Sequence, residues 1–170
     1  GIEGAAHRAA LASGGDTIAV MANGVDRPYP MGHRELLERV ADLGLMASEV
    51  PPGAVPTRHR FIARTRLMAA LSAATVVVEA GVRSGSMTVA RRAHELGRAV
   101  GAVPGPVTSA TSVGPHQLIS DEVARVVTHA DDIELLHQPD RTRPRNESFK
   151  HSSTRRVPSG PVGYEARRGM

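Results

Sequence analysis

At 170 residues the chain has the length of one domain and enough material to bury a core. It has no Cys, which excludes disulfides, thiolate metal sites and a Cys nucleophile, and its two Phe, two Tyr and no Trp are too few platforms for an RRM-type RNA reader. The formal charge of +4 sits in the tail: residues 137–170 hold eight Arg or Lys against three Asp or Glu, residues 1–136 hold thirteen against fourteen, and a polyanion site in the folded part must come from local clustering.

The elements alternate. An Ala-rich helix over 5–13 stops at Gly14-Gly15. The apolar run 17–22 reads as a buried strand, and Asn23-Gly24, Pro28 and Pro30 mark a loop. Residues 34–43 place Leu36, Leu37, Val40 and Leu43 on one helical face, closed by Gly44. A second strand over 45–50 leads into a Pro-rich loop, and a helix over 61–71 follows with Arg58 in the loop ahead of it. The β-branched run 75–78 reads as the central parallel strand. A helix over 86–96, a strand over 99–103, a short helix over 116–119, a strand over 124–127 and a helix over 130–136 complete the pattern.

Strands separated by helices of this length predict right-handed βαβ units. The fold class is therefore α/β, a Rossmann-like doubly wound parallel sheet, and ligands are expected beyond the C-terminal strand ends. Residues 1–136 form the expected domain. From 137 onward apolar periodicity disappears, and 137–170 is expected to be a disordered basic tail. No apolar run approaches the roughly 18 residues of a membrane span and no signal-peptide pattern is visible, so no membrane partner and a cytoplasmic location are expected.

Three strand-end segments carry chemistry. In the first, Arg58, Arg60, Arg64 and Arg66 surround Phe61; guanidinium forks beside free helix N–H groups suit phosphate, and Phe61 suits a base, the bland alternative being a solvated helix with Phe61 in the core. The second is Arg83-Ser84-Gly85-Ser86, a strand-end turn opening a helix, where Ser86 either caps the helix or binds a ligand oxygen. It matches neither GxGxxG nor GxxxxGK[ST], so no cofactor is implied. The third, from Pro104 to His116, reads as a plain turn. The eight His form no metal-ligand pair, so no metal is expected, and Glu49 and Glu79 are expected to pair with Arg rather than form a catalytic site. Asp26 and Arg27 either orient a ligand or pair with each other, and Asp131, Asp132 and Glu134 serve the last helix through its dipole.

Several stretches together resemble the DprA/Smf family of DNA-processing proteins. Gly1-Ile2-Glu3-Gly4-Ala5-Ala6-His7 is similar to its Gly-Ile-Asp segment, and Ala22 to Pro30 to its Gly-x-Asp-x-x-Tyr-Pro loop. Phe61 to Ser72 resembles its Phe-Pro-x-Arg-Asn-Arg motif, with Ile62 in place of Pro and Thr65 in place of Asn. Val76 to Ala90 with Ala102 to Gly105 resembles its Val-Val-Glu-Ala…Ser-Gly-Ser…Val-Pro-Gly run, and Gly114 to Ile119 its Gly-x-Asn-x-Leu-Ile segment, with His116 for Asn. The resemblance implies a non-enzymatic protein that binds single-stranded DNA and loads the RecA recombinase in natural transformation, with Arg58 and Phe61 at the family's basic and stacking positions. It also implies that the family's first strands and their Gly-Ser-Arg turn lie upstream of Gly1, leaving a strand edge that favours a homodimer. The alternatives are a nucleotide-binding Rossmann-like module and a phosphoribohydrolase-like enzyme. The latter needs a Pro-Gly-Gly-x-Gly-Thr loop that Pro104-Gly105-Pro106 does not supply.

Overall fold

The computed structural model describes residues 1–136; the expected disordered tail lies outside the described residues. Five strands and six α-helices alternate: α1 (Ile2–Ala12), β1 (Ile18–Met21), α2 (Arg34–Leu43), β2 (Leu45–Ser48), α3 (Arg58–Leu71), β3 (Ala74–Val77), α4 (Gly85–Glu95), β4 (Ala99–Ala102), α5 (Val113–Ser120), β5 (Arg125–Val126) and α6 (Ala130–Leu136). A 3-10 turn at Met31–His33 leads into α2. All strand pairs are parallel, as expected of an α/β fold. None of the described helices is long and apolar enough to cross a membrane.

The strands fall into two sheets, β1-β2 and β3-β4-β5. The expected central strand β3 is thus at an edge, and β4 is central in its sheet. Of the β-branched run only Val77 is fully buried; Thr75 and Val76 are half-buried, Val78 is exposed, and the free edge borders a cavity lined by α3 and α4. Backbone direction shows which groups are open. The Val77 carbonyl accepts the Val103 N–H at 3.0 Å, so odd-numbered β3 residues face β4 and Val76 faces the free edge. In β1, Thr17 accepts from Leu45 at 3.0 Å, which turns Val20 to the other free edge.

Two clusters form the core. One joins Val77, Val100 and Ala102 of the sheet to Met87, Val89, Ala90 and Ala93 of α4, Ala69 of α3 and Leu118 of α5. The other joins Ala19 and Met21 to Leu36, Leu37 and Val40 of α2. Small residues where α3 meets α4 let the helices approach closely, so the aliphatic composition needs no aromatic filler. Gly114 is required by a close approach: a Cβ there would lie 2.4 Å from the Ala80 carbonyl oxygen, which already accepts the Gly114 N–H at 2.9 Å. Gly97 ends the α4 segment at φ +70°, a conformation that favours glycine.

Candidate nucleic-acid interface

The C-terminal end of β3 opens into a cavity of about 440 Å³ between the β3 edge, α3, α4 and the start of α1. Two helices begin at it. Thr57 caps α3, its hydroxyl accepting the Arg60 N–H at 3.3 Å, which brings Arg58 into the first turn rather than the preceding loop. Ser84, not Ser86, caps α4 by accepting the Ser86 N–H at 3.3 Å. Both helix N-termini thus add partial positive charge at the cavity.

The loops above it are cross-tied. The Asp26 carboxylate accepts the Gly53 N–H at 2.8 and 2.9 Å and does not pair with Arg27. Asn23, 1% exposed, donates to the carbonyls of Gly24 and Arg27. Gly24 N–H donates to Ala54 at 3.0 Å. These bonds fix the 23–30 segment against the 51–54 loop and set Tyr29 beside Phe61, with ring centroids 5.9 Å apart and planes at 61°.

The structure sorts the arginines. Arg58 lines the cavity, is exposed, and makes no hydrogen bond or ion pair with the described residues; Arg83 is equally free. Arg64 lines the cavity but is committed. It donates to the Val20 carbonyl at 3.1 Å, lies 3.8 Å from Glu3 and covers the Phe61 ring at 5.2 Å. Its guanidinium occupies the backbone group that β1 leaves open. Arg60 donates to the Val55 carbonyl, and Arg66 pairs with Glu49, as expected for that glutamate.

Arg58, Phe61, Arg64, Ser84, Gly85 and Ser86 therefore surround one cavity, and Arg60 and Arg66 lie outside its lining. Arg83 lines an adjoining groove of about 350 Å³ with Arg91 and Arg92, and the two spaces share Ser84 and Thr88. Phe61 is half-buried at the cavity and belongs to neither core cluster. Glu3 and Glu79 also line the cavity, so its formal charges balance. Glu79 has no partner among the described residues, against the expected pairing with Arg. The sequence reading missed Glu3 and Tyr29, although both lie in segments that carry the family resemblance. The third segment is a turn, as read: His116 Nε2 bonds the Gly105 carbonyl at 2.9 Å and Ser109 bonds Thr111 at 3.0 Å.

What can this arrangement hold? Free guanidinium groups beside two helix N-termini suit phosphate oxygens, and an adjacent half-buried ring suits a nucleobase. Comparison with known proteins places the chain in a family. Residues 1–137 match the family model of DNA recombination-mediator protein A. A DNA processing protein DprA of Mycobacterium tuberculosis is 58% identical over 133 residues, covering 78% of this chain and 34% of the relative. The X-ray structure of DprA from Streptococcus pneumoniae superposes with a TM-score of 0.75 at 40% identity, covering 79% of this chain and 47% of that one. A structure of DNA processing protein A from Helicobacter pylori, concerned with that protein's single-stranded DNA binding mode, superposes with a TM-score of 0.64 at 27% identity, covering 69% and 54%. The chain thus spans about a third to a half of the length of these proteins, and across that span it belongs to the DNA recombination-mediator protein A (DprA/Smf) family.

Proposed function

We propose that this domain binds single-stranded DNA at the β3-end cavity, as a binding module rather than an enzyme. Phosphates lie on Arg58 and Arg83, on the Gly85 N–H and on the hydroxyls of Ser84 and Ser86, and one base lies on Phe61. Arg64 holds Phe61 in place, while Arg60 and Arg66 hold the loop and the β2 end through Val55 and Glu49. The observation that carries this reading is a pair of unpartnered arginines flanking a helix-opening Ser-Gly-Ser turn, beside a half-buried aromatic ring. The Helicobacter pylori neighbour, described for single-stranded DNA binding, supports it. In the cell the bound strand is passed to the RecA recombinase during DNA uptake and recombination, in the cytoplasm, with the protein acting as a homodimer.

The test is fluorescence anisotropy with labelled oligo(dT), and with AMP as competitor, at two salt concentrations. Each phosphate contact on a single strand contributes about 0.7 to the log–log salt slope, so the Arg58→Ala/Arg83→Ala protein should show a slope flatter by about 1.4. Phe61→Ala should weaken binding by about 1–3 kcal/mol with the slope unchanged. An unaltered slope and affinity in both variants, with the fold intact, would remove DNA from this cavity. AMP competing as well as oligo(dT) would favour a nucleotide-binding module.

A further inference from the structure

We infer that Tyr29 is a second base platform, and that its inclination to Phe61 holds two neighbouring bases apart, selecting unstacked single strands over duplex; this rests on the reading that Phe61 stacks a base. Residues 1–136 contain two aromatic side chains, Tyr29 and Phe61. Every hydrophobic side chain in the two core clusters is aliphatic. The core has thus excluded both rings, and the fold brings them together at the strand ends although they are 32 positions apart. Tyr29 is 44% exposed, and its hydroxyl has no hydrogen-bond partner among the described residues. The ring meets Phe61 edge-on and keeps exposed surface for a ligand.

The loop that carries it is tied down. Pro28 and Pro30 flank it, Asn23 holds the Arg27 carbonyl, and Asp26 ties the loop to Gly53. A platform held this way loses little freedom when a base settles on it. Phe61 already has the Arg64 guanidinium over its ring at 5.2 Å, which restricts the ring surface left for a base. A second nucleotide therefore needs a second surface, and Tyr29 is the adjacent one. The two planes lie 61° apart. Neighbouring bases in a duplex are stacked nearly parallel, so two bases seated on these rings must unstack from each other, at a cost that is least for a strand already single.

Binding of oligo(dT), a length-matched abasic strand and a hairpin duplex should be measured for the wild type and for Tyr29→Leu, Tyr29→Phe, Phe61→Ala and Tyr29→Leu/Phe61→Ala, with melting as a fold check. Leu keeps an apolar contact with Phe61 and removes the ring face. Tyr29→Leu should weaken oligo(dT) binding by about 5- to 100-fold, leave abasic binding unchanged and narrow the preference over the hairpin, while Tyr29→Phe retains the wild-type pattern. The loss should persist in the Phe61→Ala background. Equal losses for oligo(dT) and the abasic strand, or no further loss once Phe61 is gone, would reduce Tyr29 to a structural buttress and overturn the inference. If Phe61→Ala alone leaves oligo(dT) binding unchanged, the parent reading fails and this inference falls with it. If Phe61→Ala weakens binding and Tyr29→Leu does not, this inference alone fails.

Discussion

Arg58 and Arg64 stand six positions apart and line the same cavity, yet they should respond oppositely to truncation. Arg64→Ala removes a charged hydrogen bond to the Val20 carbonyl, contributing about 1.5–3 kcal/mol, and a cation–π contact with Phe61 of about 0.5–1 kcal/mol. The ion pair with Glu3 adds little, because the Glu3 side chain is 66% exposed. Against these stands the Arg64 Nε, buried without a partner, whose removal returns about 1–3 kcal/mol. The net is a loss of about 1 kcal/mol, a fall in Tm of about 3–5 °C for a folded part of this size. Arg58 is exposed and unpartnered, so Arg58→Ala should change stability by less than about 0.5 kcal/mol. In DNA binding the pattern inverts: Arg58→Ala should flatten the salt slope by about 0.7, and Arg64→Ala should leave it unchanged while weakening affinity through Phe61. Calorimetry and anisotropy at several salt concentrations read both quantities. If Arg64→Ala flattens the slope as much as Arg58→Ala and melts like wild type, Arg64 is a phosphate ligand and the division is wrong.

Glu79 lines the cavity without a partner, so Glu79→Gln should tighten oligo(dT) binding roughly threefold at low salt and less at high salt; weaker binding would mean that the carboxylate accepts a hydrogen bond from a base. The Asp132 carboxyl is held down at about 2, first by the Thr128 backbone N–H and further by the Thr128 hydroxyl and His129. A folded pKa below the unfolded one stabilises above the unfolded value near 4 and loses that effect as pH falls through about 2. Asp132→Asn should therefore lower Tm at pH 7 and have a much smaller effect near pH 2, and an equal drop at both would refute the assignment. In hydrogen exchange, the Val76 amide at the free edge of β3 should exchange about tenfold or more faster than that of Val77, which faces β4; equal protection would show that the edge is covered.

The five strands and their parallel class were legible because apolar runs alternate with amphipathic helices, as in Leu36, Leu37 and Val40 of α2. The position of β3 was not. A β-branched run reads as buried whether its neighbour is a strand or a cavity, so Thr75 to Val78 looked central and lies at an edge. The start of α3 was missed because the Thr57 cap follows directly on Pro56 and a Pro-rich loop, and the helix was counted from its first apolar residue. Local charge picked out the arginine cluster, but its division depends on partners far along the chain. Arg64 meets Val20 across 44 positions and Arg66 meets Glu49 across 17, contacts that only tertiary packing creates. The Tyr29–Phe61 pair is of the same kind: Phe61 stood out in its helix, Tyr29 did not in its loop, and neither segment specifies the other.

The central claim, that a single strand lies across the first turns of α3 and α4, is tested most directly by following backbone amide resonances while titrating oligo(dT). The account predicts the largest shifts at Arg58, Phe61 and Arg83 to Ser86, with Tyr29 moving alongside, and small ones at β5 and α6. Shifts concentrated on β5 and α6, or none in the first turns of α3 and α4 under saturating DNA, would contradict it.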